Sequence, residues 1–367
     1  MEIRIKKAEF LKGLYLAQSI ADRKSTMPVL ANALIRSEGK DSILCAATDL
    51  RVSVVAEMKA DVLKEGGLSI VAKHLFEIVK SLPGEDVHFK KTENNWAEIK
   101  GGKAQYKLVG MSDRDFPRLP DHRSVEFKEI DAATVSEMID KTIFSVSSDE
   151  TRRHLSGIFV EWQGGVLRMV STDGHRLSKV ECEVGQGLAL DSGIIIPRKG
   201  VLEMRRLLEG VDGTCDLGLF EGNLFVRAKD LTLTIKLVDA QFPPYGQVIP
   251  KENEKRVRVD RSLLLDCLKR MSIMSSERSG GIRLELSKGQ LRIASDNPDL
   301  GEAQEDIDVE YSGDALSIGF NPRYFIDLLT EMGGEKVLLE FNGELDPGLV
   351  RTEEGKPYLG VVMPMRI

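Results

Sequence analysis

The residues with the clearest capacity for chemistry lie together in the segment Thr172-Asp173-Gly174-His175-Arg176. A histidine beside a carboxylate can serve as a general base, which would place His175 and Asp173 at the centre of an enzyme. Aspartate is also a favoured turn residue, because its side chain accepts hydrogen bonds from backbone amides two residues further on. We favour a turn at this segment, and an enzyme centred on His175 and Asp173 stays as the alternative.

Other patterns that carry catalysis or bind metals are missing from the sequence. It contains no G-x-S-x-G elbow, no phosphate-binding P-loop and no H-x-x-x-H pair. The cysteines are far apart, form no C-x-x-C pair and have no metal-ligand cluster around them. We therefore expect no catalytic residue, no cofactor and no metal, and free thiols in a reducing compartment at Cys45, Cys182, Cys215 and Cys267.

Lysines and arginines on or beside predicted helices form a second set of candidates. The net charge of −7 argues against a uniformly basic nucleic-acid surface but allows one basic face. A base recurs at the start of three predicted helices, at Lys73, Arg198 and Arg323, which favours a shared positive surface over three unrelated solvated faces. Such a surface would bind phosphates without reading base sequence, and no aromatic side chains interleave to stack on single-stranded bases.

A sequence pattern that recurs at a fixed distance indicates how these residues are positioned. The segments Ile43–Asp49, Leu167–Asp173 and Leu291–Asn297 are similar, and each lies 124 residues from the next (167 − 43 and 291 − 167). Periods of this length match whole domains. Because the three copies end on Asp or Asn, Asp173 is best interpreted as a turn residue. We predict three domains, over residues 1–124, 125–248 and 249–367.

Each predicted domain shows the same order of elements. An apolar helical stripe comes first, then a strand pair, then a strand that leads into a second helix. In the first domain the strand pair is predicted over residues 29–35 and 43–47, and three strands follow the second helix. The fold class predicted is α+β, with two helices packed on antiparallel sheets in each domain. The acidic stretch Asp299–Asp306 is expected to connect strands.

The ends and the hydropathy of the chain bear on its location. The first residues, MEIRIKKAEF, are charged, and no apolar run approaches the roughly 18 residues that a membrane span needs. We expect a soluble, cytoplasmic protein with no membrane partner.

Several motifs resemble those of the bacterial replicative sliding clamps, the beta subunits of DNA polymerase III. The resemblance covers the whole chain. Its most specific parts are TMPVL at 26–30, TDGHRL at 172–177, IPRKG at 196–200, KLVD at 236–239 followed by Phe242-Pro243, and VVMPMRI at 361–367. The resemblance implies three similar domains per chain and a homodimer that closes head to tail into a ring. It also implies that helices line the hole of the ring and sheets form its rim.

The same resemblance implies the function and the partners. Such a ring is a processivity factor that encircles double-stranded DNA without sequence specificity. It tethers the DNA polymerase III alpha subunit and other polymerases, and it is loaded by the clamp loader, whose delta subunit contacts it. A divergent second clamp, serving as a repair or resistance copy, stays as an alternative to the main replicative clamp.

The resemblance also assigns site residues, position by position. A pocket for partner peptides would contain Leu155, Thr172, Gly174, His175, Arg176, Leu177, Pro243, Val248, Val361, Val362, Met363, Pro364, Met365 and Arg366. The DNA-facing positions would be Lys24, Lys73, Arg152, Arg153, His154, Arg198 and Lys199. The dimer interface would join Tyr106 and Leu108 of one chain to Ile273 and Met274 of the other. Three residues depart from the family pattern: Gln247 replaces a frequent arginine, and Arg153 and His154 replace aromatic residues of some members.

Overall fold

The structure is a computed structural model, and it describes residues 1–185, 187–188, 190–275 and 281–366, with the backbone alone at Asp191. Ile367, the last residue of the VVMPMRI motif, lies outside the described residues. The chain forms two compact units. The first unit comprises Met1–Ser136 and Lys199–Leu237, and the second comprises Glu137–Arg198 and Val238–Ile367.

Residues 1–124 contain two helices and nine strands within the described chain. They are β1 (Glu2–Lys6), α1 (Lys7–Ile20), β2 (Asn32–Glu38), β3 (Ser42–Thr48), β4 (Val52–Lys59), β5 (Asp61–Lys64), β6 (Gly67–Val71), α2 (Ala72–Ser81), β7 (Asp86–Lys91), β8 (Trp96–Gly101) and β9 (Ala104–Val109). Helix α1 buries Phe10 and Leu14 completely, and the Phe10 ring meets Phe89 edge-on at 6.4 Å between centroids. Aromatic pairs favour this geometry.

Residues 125–248 repeat the order. They contain β10 (Phe127–Asp131), α3 (Ala132–Ile143), β11 (Gly157–Gln163), β12 (Val166–Thr172), β13 (Arg176–Glu183), β14 (Leu190–Pro197), α4 (Arg198–Leu207), β15 (Thr214–Phe220), β16 (Asn223–Ala228) and β17 (Leu231–Lys236).

Residues 249–367 repeat it again. They contain β18 (Lys255–Asp260), α5 (Arg261–Met274), β19 (Ile282–Ser287), β20 (Gln290–Asn297), β21 (Gly301–Asp308), β22 (Leu316–Phe320), α6 (Pro322–Glu331), β23 (Lys336–Phe341), β24 (Gly348–Thr352) and β25 (Tyr358–Val362). Both helices have a side-chain N-cap: Asp260 accepts from the Leu263 amide at 2.8 Å, and Asn321 accepts from the Arg323 amide at 3.0 Å.

The α+β class and the repeated order of elements are confirmed. Strands β3, β12 and β20 begin at Ser42, Val166 and Gln290, which are 124 residues apart in both steps. The second helices α2, α4 and α6 begin at residues 72, 198 and 322, so their second residues are Lys73, Lys199 and Arg323. The equivalent bases are therefore 73, 199 and 323, and the expected match of Lys73 with Arg198 is off by one residue. The domain boundaries themselves stay a prediction.

Two antiparallel sheets form each unit. In the first unit the strand orders are β10-β15-β16-β17-β4-β3-β2-β6 and β5-β1-β7-β8-β9. In the second they are β14-β11-β12-β13-β25-β24-β23-β18 and β21-β20-β19-β22. The eight-stranded sheets thus combine strands from neighbouring predicted domains, which the sequence patterns do not indicate. Strands β9 and β21 lie at sheet edges.

Three local expectations are wrong, each for a physical reason. Residues 28–31 form a 3₁₀ turn and β2 begins at Asn32, because Pro28 fixes its φ and lacks an amide donor. The sequence reading missed β4 and β5, which extend past the predicted strand pair. The acidic stretch Asp299–Asp306 was expected to connect strands, yet most of it belongs to β21. As an edge strand with few buried positions, β21 lacks the apolar alternation that marks a strand.

Candidate functional site

A cavity of about 270 Å³ lies in the second unit and brings together four short segments of the chain. This volume is just below the range of pockets for small molecules, so it suits a few side chains of a larger ligand. The lining residues are His154, Leu155, Thr172, Gly174, Arg176, Leu177, Pro243, Pro244, Tyr245, Val248, Val361 and Met363.

The first wall of the cavity is the turn between β12 and β13. The Asp173 carboxylate accepts from the amides of His175 at 2.9 Å and Arg176 at 3.0 Å. Gly174 has φ +92°, a conformation that suits glycine because it has no Cβ. Asp49 makes the same turn in the first copy, where it accepts from the amides of Arg51 and Val52. The expected turn is therefore confirmed.

The arrangement of His175 does not resemble that of a general base. Its ring lies nearly parallel to the Tyr324 ring, with 6.4 Å between centroids. Within the described chain no hydrogen bond joins this ring to the Asp173 carboxylate, which is engaged by the turn amides and by Arg176. The geometry thus favours a turn over an enzymatic dyad.

Arg176 fastens the turn to two other elements. Its guanidinium donates to Asp173 Oδ2 at 3.0 Å, to the Phe144 carbonyl at 2.6 Å and to the Asp327 carboxylate. It also lies over the Tyr324 ring, 4.9 Å from the centroid. Only 11% of this side chain is exposed. Although Arg176 lines the cavity, its donors are directed at partners within the chain.

The floor of the cavity comes from the pairing of β13 with β25. Leu177 lies opposite Val361 in this ladder, and both side chains are buried. The following residues are held at two backbone positions: the Met363 amide donates to the His175 carbonyl at 2.8 Å, and the Met365 amide donates to the Gly319 carbonyl at 2.9 Å. Val362 is also fully buried, but it lies on the other face of the sheet from Val361, because successive residues of a strand point to opposite faces.

The third wall of the cavity, after the turn and the floor, lies beyond the end of β17. It contains a short 3₁₀ turn, Tyr245–Gln247. Just before it, Phe242 stacks on Phe159 with 4.7 Å between ring centroids. Tyr245 donates its hydroxyl to Glu161 Oε2 at 2.7 Å. Burial, and then the bond to Glu161, raises the pKa of Tyr245 above its ordinary value. Val248 closes this wall and is 39% exposed.

The structure brings together nine of the fourteen expected pocket residues. Those that line the cavity are Leu155, Thr172, Gly174, Arg176, Leu177, Pro243, Val248, Val361 and Met363. Those that do not line it are His175, Val362, Pro364, Met365 and Arg366. The sequence reading missed Pro244 and Tyr245, although an aromatic residue after Pro243-Pro244 could have been recognised as an apolar anchor. His154, which is among the predicted DNA-facing residues, also lines the cavity.

The candidate DNA-facing side chains are all exposed. In the first unit, Lys199 donates to the Ile20 carbonyl at 3.1 Å and pairs with Asp49, whereas Lys24 and Lys73 have no ion-pair partner among the described residues. In the second unit, Arg152 pairs with Asp149 at 3.5 Å.

Arg198 makes a 3.5 Å contact to the Val146 carbonyl. Arg153 has no ion-pair partner in the described part of the chain, and His154 lies at the cavity.

The candidate interface residues lie on the edge strand β9 and near the end of helix α5. Tyr106, on β9, is 39% exposed, and Leu108 is half-buried. Ile273, near the end of α5, is 74% exposed, which is high for a large aliphatic side chain, and Met274 is half-buried.

Among the described residues no group of three or more His, Cys, Asp or Glu side chains is arranged to hold a metal. No helix in the same part of the chain is both long and apolar enough to span a membrane. An open hollow of about 700 Å³ in the first unit lies among charges of both signs, including the Lys6–Asp86 pair.

Comparison with known proteins gives matches along the entire chain. Models of the N-terminal, central and C-terminal domains of the DNA polymerase III beta subunit match residues 1–120, 129–244 and 246–366. The beta sliding clamp of Pseudomonas aeruginosa is 35% identical over 370 residues, with 100% of both chains covered.

Solved structures agree. A sliding clamp from Bartonella birtlesii bound to griselimycin superposes with a TM-score of 0.94 at 32% identity, with full coverage of both chains. A Pseudomonas aeruginosa clamp bound to griselimycin gives 0.94 at 34% identity, also with full coverage.

Replacement of Arg176 by alanine should destabilise the protein. The variant leaves the Phe144 carbonyl and the Asp173 and Asp327 carboxylates without their donor, and loss of hydrogen bonds to a charged group of this kind costs about 1.5 to 3 kcal/mol of unfolding free energy. Urea denaturation would measure this. Arg153→Ala is the control, because Arg153 is exposed, and should change stability by less than about 0.5 kcal/mol. Equal stability of the two variants would show that Arg176 does not fasten the turn.

Proposed function

This chain belongs to the family of DNA polymerase III beta subunits, the beta sliding clamps, and we propose that two copies close into a ring that encircles duplex DNA and holds a polymerase on its template. The observation that carries the ring is a strand pairing that occurs twice inside the chain and leaves one matching pair of edges free. The apolar cavity supports the tethering role.

The two internal pairings are equivalent. In the first unit β17 pairs with β4, with Ile235 opposite Val52; in the second, β25 pairs with β13, with Val362 opposite Arg176. Arg176 of β13 lies 124 residues after Val52 of β4 (176 − 52), and Val362 of β25 lies 127 residues after Ile235 of β17 (362 − 235). In both cases the last strand of one predicted domain extends the sheet of the preceding domain. The corresponding strands left over are β9 and β21.

The repeat also supplies a register for the missing pairing. Residues of β21 lie 125 positions after their counterparts in β13. Val180 of β13 lies opposite Met169 of β12, and its counterpart Glu305 of β21 lies opposite Ile293 of β20. The counterpart of Arg176 in β21 is therefore Gly301 (176 + 125). The counterpart of Ile235 in β9 is Leu108 (235 − 127). Leu108 of one copy would then lie opposite Gly301 of the other.

In this register Lys107 lies opposite Glu302, and Tyr106 lies opposite Ala303. Opposite charges across antiparallel strands are stabilising. The internal counterparts of Tyr106 and Leu108 are Leu233 and Ile235, both fully buried, whereas Tyr106 is 39% exposed. The same fold position is thus covered within the chain and uncovered at the free edge, as expected of a subunit interface. Two such contacts close a pair of chains into a ring.

The exposed cations support a non-specific contact with DNA. Lys24, Lys73 and Arg153 have no ion-pair partner within the described ranges and are exposed to meet phosphates, whereas Lys199 has Asp49 as a partner. Few neutralised phosphates and an acidic chain give weak, salt-sensitive direct binding. Retention on DNA then depends on the closed ring more than on adhesion.

We assign the cavity of the second unit to short peptide segments of partners, namely the DNA polymerase III alpha subunit, other polymerases and the clamp loader delta subunit. An extended segment with a few apolar anchors suits an apolar space of about 270 Å³. Relatives in this family bind griselimycin, which makes that compound a convenient probe. Gln247 lies exposed beside Val248 and carries no charge, so recognition there relies on apolar contact.

Replacement of Ile273 and Met274 by aspartate should yield monomers, because charges would be buried without partners at the interface. Light scattering would measure the mass. Leu63→Asp is the control, since Leu63 is 54% exposed on β5, at the opposite edge of the five-stranded sheet from β9. A charge exchange tests the register: Lys107→Glu alone should weaken the dimer, and adding Glu302→Lys should restore it. A dimer that survives the aspartates would mean that the interface lies elsewhere.

Val248→Asp should weaken griselimycin binding and polymerase stimulation at least about tenfold, because a carboxylate entering an apolar site is desolvated without a partner. Val248 is partly exposed, so the melting temperature should stay close to that of the parent protein. Calorimetric titration would measure binding, and Leu63→Asp again serves as the control. Unchanged affinity in Val248→Asp would refute the assignment of this cavity.

A further inference from the structure

The third wall of the cavity differs from the other two in how it is held. The turn at β12–β13 closes a paired hairpin, and the tail after β25 is held by backbone hydrogen bonds from the Met363 and Met365 amides. The segment Pro243–Val248 pairs with no strand in the described structure. Its internal bonds run from Gln247 to Pro244 and from Val248 to Tyr245, and these do not attach it to the sheet.

One polar contact fastens this segment to the second unit. It is the 2.7 Å hydrogen bond from the Tyr245 hydroxyl to Glu161 Oε2. Among the described residues no other side-chain hydrogen bond joins Pro243–Val248 to the sheet. The Tyr245 ring also packs against Phe159 and Phe242, with centroids 6.2 and 6.4 Å away. These ring contacts place the tyrosine near the sheet, and the hydroxyl bond sets its orientation.

Glu161 is well placed to accept this bond. It lies on β11 opposite Arg168 of β12, and Arg168 lies opposite Glu181 of β13. Arg168 donates to Glu181 at 2.7 Å, and Lys179 pairs with Glu181 at 2.6 Å. The Arg168 guanidinium is therefore engaged with Glu181, which leaves a Glu161 oxygen for the tyrosine. A charged acceptor makes a stronger hydrogen bond than a neutral one.

We propose that Glu161 is a positioning residue for ligand binding, which holds Tyr245 as a fixed wall of the cavity so that an incoming apolar anchor meets a preformed space. The inference rests on the proposed peptide-binding function of this cavity. Glu161 itself does not line the cavity and acts through Tyr245. A wall ordered before binding spares the ligand the cost of ordering it, and one such side chain corresponds to roughly a 2- to 12-fold change in affinity.

The test compares griselimycin affinity of full-length variants by calorimetric titration. Glu161→Leu and Tyr245→Phe should each weaken binding about 3- to 10-fold, since both remove the same hydrogen bond. Glu161→Gln should stay within about twofold of the parent protein, because its amide oxygen can still accept. The double variant Glu161→Leu with Tyr245→Phe should bind no worse than either single variant, as expected for two changes that break one interaction.

Matched variants separate positioning from general stability. Glu183→Leu is the control, because Glu183 is an exposed glutamate on β13 of the same sheet. A purely structural role would lower the melting temperature of Glu161→Leu without rescue of affinity by Glu161→Gln. Tyr245→Phe keeps the ring and its packing, so it still tests the inference if Glu161→Leu folds poorly.

The outcomes distinguish this inference from the proposed function. If the parent protein does not bind griselimycin, the peptide-binding function of the cavity fails, and the positioning role of Glu161 fails with it. If the parent protein binds, Val248→Asp does not, and Glu161→Leu and Tyr245→Phe bind normally, the inference is wrong while the cavity assignment stands. The inference would also be wrong if the affinity losses of the two single variants multiplied in the double variant, or if Glu161→Gln bound griselimycin as weakly as Glu161→Leu.

Discussion

The requirement that strand edges be paired is the constraint on which this structure depends. Backbone donors and acceptors at a sheet edge have no strand partner, and they form a template on which another strand can pair. The chain meets this need at two predicted domain boundaries by extending one domain's sheet with the last strand of the next, as β17 does for β4 and β25 for β13. In the described structure of three such domains, β9 and β21 are the two corresponding strands that lack this pairing, and a second copy can cover both.

The two equivalent strand pairings carry different side chains where the second unit has its apolar cavity. Leu177 pairs with Val361 in the second unit, and the equivalent pair in the first unit is Ser53 with Thr234 within the β4–β17 ladder. The Met363 amide donates to the His175 carbonyl, and in the first unit the Lys236 amide donates to the Arg51 carbonyl. The backbone is thus alike, while the side chains differ from apolar to polar. The same fold position therefore carries apolar side chains in the second unit and polar side chains in the first.

The sequence could predict the elements and the repeat because these depend on local periodicity and on turn residues. Helix α1 and the β11–β12 hairpin follow from apolar spacing, and the turn at Asp173 follows from its match with Asp49. Strands β5 and β21 could not be predicted, since edge strands bury few side chains. The pairing of β25 with β13 depends on contacts between residues far apart in the chain, which periodicity does not report. The hydrogen bond from Tyr245 to Glu161 is a contact of the same kind.

The claim that two chains form a closed ring around DNA is tested most directly by retention on circular DNA. The protein would be placed on a nicked circular duplex by the clamp loader and separated from free protein at a salt concentration that removes direct binding to linear duplex. A closed ring predicts that the protein stays on the circle at this salt and is released when a restriction enzyme linearises the DNA, because the ring can then slide off the ends. Release from the intact circle at the same salt, or equal retention on circular and linear DNA, would contradict the account.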